Sequence, residues 1–253
     1  MTHPSALLVA PGTTTASTVV NLFGGPYVVL DGERVDVPEG GKRLLAYVCL
    51  SGGPVERRRV AGALWPDGDD VRAAGNLRSA LWRLKGGGVD LLESDKSSLW
   101  LRAGILVDVE VLCAWADRLI GGRAVPRDLD VRGWYPECLE LLPGWYDDWA
   151  VFEREHRRQV LLHALEALAR RLTAAGRTDE AVLVASAVVA AEPLRETAQR
   201  VLVEAHVAEG NSCEAIRAYE TYRTLLATEL GVEPSGVLRD LVTRRRVAPV
   251  TGC

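Results

Sequence analysis

The second half of the chain repeats a helical pattern with a period of 34 residues. The segments LARRLTAAGRTDEAVLVAS (168–186) and LVEAHVAEGNSCEAIRAYE (202–220) align without a gap, and Gly176 and Gly210 hold equivalent places between two helical stretches. A 34-residue period with glycine at the turn between paired helices is typical of tetratricopeptide repeats. Each such unit buries its apolar face only against its neighbours, so the pattern restricts this region to stacked helices.

Further helices are expected on both sides of the repeat, because two units alone leave apolar faces uncovered. We expect the segment 108–122 and a long helix beginning near Asp148 to lie upstream, and the segment 235–246 to cover the C-terminal end. Asn211 and Glu214 are spaced as a capping pair at the start of the last repeat helix. The second half is therefore predicted to be all-α and tetratricopeptide-like.

The first half opens with short β-rich runs instead of helices. VVNLF (19–23) and PYVVL (26–30) come first, and Asp31-Gly32 stands between PYVVL and the alternating RVDV (34–37). Asp-Gly between two such runs is a strong signal for a two-residue hairpin. The chain is therefore expected to begin with a small antiparallel sheet.

Three helices are expected after this sheet. Apolar spacing places the first two in KRLLAYVCLSGG (42–53) and VERRRVAGALWP (55–66), and the third begins near Arg72. The polar turn PDGDD (66–70) separates the second and third helices, and Asp70 is expected to cap the third.

The third helix, RAAGNLRSALWRLKGGG (72–88), has four positive charges and no acid, in a chain whose net charge is −4. Taken alone, such a face is as readily a solvated surface as a nucleic-acid interface. Trp82 on this face either packs against a neighbouring element or contacts nucleic acid. The stripe expected to be buried is Ala73, Leu77, Ala80, Leu81 and Leu84. The side chains expected on or beside the outer face are Arg72, Asn76, Arg78, Ser79, Trp82, Arg83 and Lys85.

The order of these elements is the layout of a winged helix, with VDLLES (89–94) and SLWLR (98–102) forming the hairpin, or wing. In that layout the second and third helices form a helix-turn-helix, and the third enters the major groove of double-stranded DNA. Its outer side chains are candidates for base contacts, whereas cations around it are candidates for phosphate contacts. The candidate phosphate-contacting residues are Arg57, Arg58 and Arg59 on the supporting helix and Lys96 and Arg102 in or beside the wing.

These segments resemble one known family. LWPD followed by NLRSALWRL in the first half, and YETYRTLLATELGVEPS in the second, are similar to the Streptomyces antibiotic regulatory proteins, or SARP activators. The resemblance covers about residues 19–246 and implies an OmpR-type winged helix followed by a bacterial transcriptional activator domain. It also implies promoter binding at direct repeats, recruitment of RNA polymerase holoenzyme with its sigma factor, and control of an antibiotic gene cluster.

The resemblance and the element pattern together predict a mostly α chain with a small β part. The expected division is a flexible leader (1–18), a winged-helix DNA-binding domain (19–104), a helical activator domain (105–246) and a tail (247–253). No receiver domain for aspartyl phosphorylation is expected before the winged helix.

Composition excludes several other classes of protein. The chain has 34 acidic and 30 basic residues, so a DNA-binding site has to be local. No apolar run reaches the roughly 20 residues needed to span a bilayer, and the N-terminus lacks the features of a secretory signal. The five cysteines include no C-x-x-C pair, which favours reduced thiols and a cytoplasmic location.

No catalytic, metal or cofactor motif is present in the sequence. The four histidines form no H-E-x-x-H spacing, and G-x-S-x-G, the P-loop and G-x-G-x-x-G are all lacking. We therefore expect neither an enzyme nor a bound cofactor. Aromatic side chains cluster in the middle of the chain, and packing between the two domains is preferred over a ligand pocket. These are Trp115, Trp134, Tyr135, Trp145, Tyr146 and Trp149.

Two other functions use the same parts. A repeat-containing adaptor would bind proteins and carry its basic helix incidentally, whereas a repressor would bind DNA without recruiting polymerase. The winged helix with its acid-free face favours the DNA-binding activator. Two copies are expected to associate side by side on DNA, head to tail, because no self-complementary apolar seam is evident.

Overall fold

A computed structural model of the chain describes residues 18–86, 90–131 and 140–246. Most of the expected leader and the tail (247–253) lie outside these residues, as do Gly87 and Gly88 of the glycine run. Trp134 and Tyr135 of the aromatic cluster also lie outside them. Among the described residues, no helix combines the length and the apolar character required to cross a bilayer.

The described residues divide into two compact units that interleave along the chain. The first contains residues 18–86, 90–114 and 140–159, and the second contains residues 115–131 and 160–246. The first unit thus continues past Gly104, where the sequence placed the domain boundary.

The first unit opens with a four-stranded sheet in the order β3-β2-β1-β7. β1 is antiparallel to β2 and parallel to β7. Asp31 and Gly32 have φ values of 51° and 87°, as a two-residue hairpin turn of this kind requires, which confirms the predicted hairpin. The strands are β1 (Val19–Asn21), β2 (Tyr27–Leu30), β3 (Glu33–Val35) and β7 (Leu106–Val107).

Three helices and a second sheet complete the winged helix. The sheet has the order β4-β6-β5, and its β5–β6 hairpin is the predicted wing. The second helix begins two residues later than predicted because Val55 and Glu56 pair with β6. The elements are α1 (Glu39–Leu50), β4 (Val55–Glu56), α2 (Arg57–Leu64), α3 (Asp70–Gly86), β5 (Leu92–Ser94) and β6 (Ser98–Leu101).

A buried carboxylate ties the start of the next helix to the first sheet. Asp108 Oδ2 accepts hydrogen bonds from the backbone N–H groups of Leu22 at 2.8 Å and Phe23 at 3.0 Å, and Oδ1 accepts one from Val109 at 2.7 Å. Burial raises the pKa of Asp108 to about 7, although these three N–H groups oppose the shift. The first unit therefore depends on residues beyond position 104.

Arg154 fixes a second segment of the same unit. Its guanidinium donates to the carbonyl oxygens of Leu141, Leu142 and Trp145 at 2.7, 2.5 and 2.8 Å. Leu142, in turn, donates its N–H to the carbonyl of Leu22 at 3.0 Å. Residues 141–145 are thereby held at the end of β1.

The remaining helices give the predicted all-α second half. α4 and α5 each begin in the first unit and end in the second, whereas the helices after them belong to the second unit alone. They are α4 (Asp108–Ile120), α5 (Asp148–Ala174), α6 (Thr178–Ala191), α7 (Glu196–Glu209), α8 (Ser212–Leu230) and α9 (Gly236–Arg246), with a short 3-10 helix at Pro126–Leu129.

The repeat predicted from the 34-residue period is confirmed at its turns. Gly176 and Gly210 both adopt left-handed backbone conformations, with φ values of 75° and 84°. Asn211 caps α8, since its Oδ1 accepts a hydrogen bond from the N–H of Glu214 at 3.3 Å. α6 packs on α7, and α7 on α8.

α9 covers the C-terminal end of the repeat, as expected. Leu238 and Val242 of α9 are buried in one cluster with Tyr219, Tyr222 and Leu226 of α8. The fold prediction, a winged helix with a tetratricopeptide-like α-helical second half, is therefore confirmed.

Candidate nucleic-acid interface

α3 separates an apolar face from a basic one. All five residues of the predicted stripe are buried, and α3 packs on both α1 and α2. The outer positions Arg72, Arg78, Ser79, Arg83 and Lys85 are exposed, and Asn76 is half-buried. Trp82 leaves 78% of its surface in solvent. The described residues thus cover only a small part of the indole, which favours the second of its two predicted roles.

The start of α3 corrects one expectation. Asp69, and not Asp70, caps the helix, because Asp69 Oδ1 accepts a hydrogen bond from the N–H of Arg72 at 2.7 Å. Asp70 forms the first turn of the helix, and its carboxylate instead pairs with Arg58 at 2.7 Å. Between Val71 and Gly86 the helix carries no further acid.

Small side chains keep the outer face of α3 open. Among the described residues, a Cβ added at Gly75 would meet only the guanidinium of Arg78, at 3.8 Å. The hydroxyl of Ser79 donates back to the carbonyl oxygen of Gly75 at 3.1 Å, which leaves the oxygen lone pairs of Ser79 facing solvent. A large ligand can therefore approach this turn closely.

Arg83 lies across the start of α1. A Cβ at Gly40 would fall 2.7 Å from Nη1 and 2.8 Å from Cδ of Arg83, so the arginine occupies the space that a side chain there would need. Arg83 therefore stands beside the outer face of α3 and is directed toward α1.

The three arginines of α2 differ in their surroundings. Arg57 is half-buried and donates to the carbonyl oxygen of Asp95 in the wing at 3.4 Å. Arg58 is exposed and paired with Asp70, and Arg59 is exposed. Arg57 and Arg58 face Arg78 of α3 across a groove of about 340 Å³.

The wing turn is built around Asp95. Its Oδ1 accepts from the N–H groups of Ser97 at 2.7 Å and Ser98 at 2.6 Å, and these hydrogen bonds lower the pKa of the carboxyl group. Lys96 is exposed at the tip of this turn. The wing therefore presents a cation on a hairpin turn that is hydrogen-bonded through Asp95.

Arg102 at the base of the wing is already paired with acids. It forms an ion pair with Asp90 and a second one with Glu93 at 3.4 Å. Glu93 also accepts a hydrogen bond from the indole N–H of Trp100 at 2.9 Å. A phosphate contact by Arg102 would have to compete with both carboxylates.

The structure thus brings most of the predicted DNA-contacting residues to one region formed by α2, α3 and the wing. The sequence did not identify the acids that pair with them, Asp70, Asp90 and Glu93. Only Asp90 and Glu93 had a local signal, since Glu93 lies in β5 and Asp90 just before it, and β5 pairs with β6, which ends next to Arg102.

The described aromatic residues of the middle of the chain are divided between the two units. Trp149 packs edge to face against Tyr47 and Trp145 in the first unit, with ring centroids 5.3 and 6.1 Å apart. Trp115 is buried in the second unit, where its N–H donates to the carbonyl of Asp128 at 3.0 Å. Tyr146 is exposed. Within the described part of the chain, no group of three or more His, Cys, Asp or Glu side chains is arranged to hold a metal ion.

Comparison with known proteins places this architecture among regulators. Residues 132–244 match the family model of the bacterial transcriptional activator domain. The regulatory protein AfsR of Streptomyces griseus is 31% identical over 217 residues, which are 82% of this chain and 22% of that protein. AfsR of Streptomyces coelicolor is 30% identical over 227 residues, or 85% of this chain and 23% of the relative. The chain therefore spans less than a quarter of these two relatives.

A shorter regulator and a solved structure extend the comparison. The transcriptional regulatory protein MoaR1 of Mycobacterium tuberculosis is 24% identical over 262 residues, covering 94% of this chain and 82% of MoaR1. Mycobacterium tuberculosis EmbR, solved in complex with a low-affinity phosphopeptide, superposes with a TM-score of 0.70 at 22% identity, over 93% of this chain and 67% of EmbR. It has the same winged-helix and tetratricopeptide-like architecture. The chain is therefore similar over most of its length to bacterial transcriptional regulators, and residues 132–244 carry the match to the bacterial transcriptional activator domain.

Proposed function

We propose that this chain is a sequence-specific DNA-binding activator that reads promoter DNA with α3 and recruits RNA polymerase to a secondary-metabolite gene cluster. The single observation that carries the proposal is the acid-free outer face of α3. Five of its polar or charged side chains are exposed, while the opposite face of the same helix forms the core of the winged helix. In an acidic chain, a helix face that only contacts solvent is expected to carry acids as well as bases.

Phosphate and base contacts fall to different residues. Arg57, Arg58 and Arg59 on α2 and Lys96 at the wing tip provide cations for phosphates, which give most of the affinity of DNA-binding proteins. Arg78 and Ser79, halfway along α3, are suited to reach base edges in the major groove. Trp82 supplies an exposed apolar surface for a thymine methyl group or a sugar.

The second half is proposed to act through proteins. Tetratricopeptide-like stacks offer extended surfaces for protein partners, and contact with RNA polymerase holoenzyme, including its sigma factor, fits the relatives that carry this domain. Two copies bind side by side on directly repeated half-sites about one helical turn apart, roughly 10–11 bp. Such an arrangement uses two different surfaces and no two-fold axis.

Footprinting of the purified chain over the promoters of its neighbouring genes tests the DNA-binding part. We expect protection of two directly repeated half-sites on one face of the duplex. Inserting about 5 bp between them should abolish cooperative binding, and inserting a full turn should restore part of it. An inverted repeat, or cooperativity that survives the half-turn insertion, would contradict the head-to-tail arrangement.

Transcription in vitro with purified polymerase holoenzyme tests the activation part. We expect the chain to increase transcript yield from the footprinted promoter. Reduced yield would identify a repressor built from the same parts, and protection of no DNA at all would favour the adaptor.

A further inference from the structure

The groove between α2 and α3 has three arginines and one acid in its wall. Arg57, Arg58 and Arg78 line it together with Asp70, around a volume of about 340 Å³. A groove of this size, open between the two helices of a helix-turn-helix, is large enough for a phosphate group. The three arginines give the groove a positive charge, which attracts anions, whereas Asp70 adds one negative charge to its wall.

Asp70 is engaged with one of these arginines. Its Oδ2 lies 2.7 Å from Nη2 of Arg58, and the two side chains are 79% and 86% exposed. A carboxylate offers arginine the same kind of charged oxygen acceptor as a phosphate does. Asp70 therefore stands where a phosphate oxygen of bound DNA would meet Arg58.

The ion pair is weak enough to be exchanged. Exposed pairs contribute little stability because water and salt screen both charges. A backbone phosphate brings a comparable acceptor and also releases condensed counterions from the duplex. The exchange of Asp70 for phosphate is therefore favourable on DNA and unfavourable without it.

We propose that the groove between α2 and α3 binds one phosphate of the DNA backbone through Arg58, and that Asp70 holds Arg58 until that phosphate replaces it. The proposal rests on the DNA-binding function proposed above. Because a phosphate contact carries no sequence information, Asp70 lowers the affinity for every duplex by the same factor.

Binding of the full-length chain to a random-sequence duplex of about 30 bp, at about 50 mM salt, tests this competition. Asp70→Asn should bind about two- to fivefold more tightly than the wild type. Asp67→Asn is the matched control, since it removes the same charge from the same turn, and Asp67 forms no ion pair with a described residue. Its gain should be clearly smaller.

A double-mutant cycle separates exchange from simple repulsion. In an Arg58→Ala background, Asp70→Asn should gain no more than Asp67→Asn does. Equal gains from Asp70→Asn with and without Arg58, or no gain beyond the control, would overturn the competition while leaving DNA binding in place. A wild-type chain that binds no duplex would instead reject the proposed function and this site with it.

Folding of each variant is checked by thermal unfolding, because Asp70 lies in the first turn of α3. Asp70→Ser, which also removes the charge and is well tolerated at a helix start, replaces Asp70→Asn if that variant unfolds. Tighter binding by the serine variant supports the competition, and unchanged or weaker binding overturns it.

Discussion

Truncation of Trp82 to alanine separates the two roles that an exposed indole can have on α3. If Trp82 contacts DNA, the substitution should weaken binding and leave the fold almost unchanged. If it is a structural residue, the winged helix should lose much of its stability. The exposure of the side chain, 78%, predicts the first outcome.

The expected stability loss follows from the contact area. A tryptophan side chain buries about 150–250 Å² when it is fully enclosed. Trp82 is 78% exposed, so about a fifth of that area, roughly 30–55 Å², is in contact with protein. At about 25 cal/mol per Å², the loss is ~1 kcal/mol.

Leu81 provides a matched control from the next position of the same helix. It is 9% exposed and belongs to the buried stripe of α3. Leu81→Ala should cost about 2–5 kcal/mol, because it removes a core side chain and leaves a cavity. Neighbouring substitutions on one helix should thus have opposite consequences for folding and for DNA.

Urea unfolding followed by circular dichroism measures the stability of both variants, and titration of a labelled duplex measures affinity. We expect Trp82→Ala to lose about 1 kcal/mol of stability or less and at least threefold in affinity, on the order of the energy of one apolar base contact. A loss of 3 kcal/mol or more on folding, roughly that of a core residue, would refute the assignment of Trp82 to the DNA face.

Three further predictions concern the scaffold. Since burial raises the pKa of Asp108 to about 7, the folded chain retains there a proton that the unfolded chain releases near its ordinary pKa of about 4. Stability should therefore fall as the pH rises from about 5 to 7, and Asp108→Asn should flatten this dependence in urea titrations. The bidentate hydrogen bonds from Arg118, at 2.7 and 3.0 Å, lower the pKa of buried Asp128. Asp128→Asn should therefore lower the free energy of unfolding by about 1–3 kcal/mol at neutral pH. The difference from wild type should shrink as the pH falls below about 4, because Asp128 itself is then protonated. Leu238→Ala should lower stability by about 2–5 kcal/mol in urea unfolding if α9 covers the repeat core, and a loss under about 0.5 kcal/mol would contradict that role.

The parts of the fold that the sequence predicted are those set by local periodicity. The stripe of α3 was identified because a helix with one buried face repeats its apolar residues every three or four positions. Asp31-Gly32 was identified because few residue pairs tolerate two left-handed conformations in succession. Gly176 and Gly210 were found by their shared 34-residue offset.

The parts that the sequence missed depend on contacts between distant segments. β4 and β7 have two residues each, too few to show an alternating pattern. Asp108 reads as an ordinary first-turn acid, yet it accepts hydrogen bonds from residues 85 and 86 positions away. No local sequence signal predicts these hydrogen bonds, because they form only when β7 pairs with β1 and brings Asp108 beside Leu22 and Phe23.

The same limit applies to the candidate interface. Periodicity placed Arg78 and Ser79 on the outer face of α3, where the structure leaves them exposed. It did not show that Asp70 pairs with Arg58, twelve positions away on the preceding helix. Ion pairs between the two helices of a helix-turn-helix depend on how those helices pack. The periodicity within one helix carries no information about that packing.

Selection of preferred sequences from a random duplex pool, by the wild type and by two arginine variants, tests most directly whether α3 reads DNA. Arg78→Ala on α3 should lose preference at one base position, at a cost of about 1–3 kcal/mol on the selected site. Arg59→Ala on α2 should keep the wild-type preference and weaken binding to all sequences alike, with a salt slope smaller by about one unit. An unchanged preference profile for Arg78→Ala, together with an altered one for Arg59→Ala, would contradict the assignment of α3 as the reading helix.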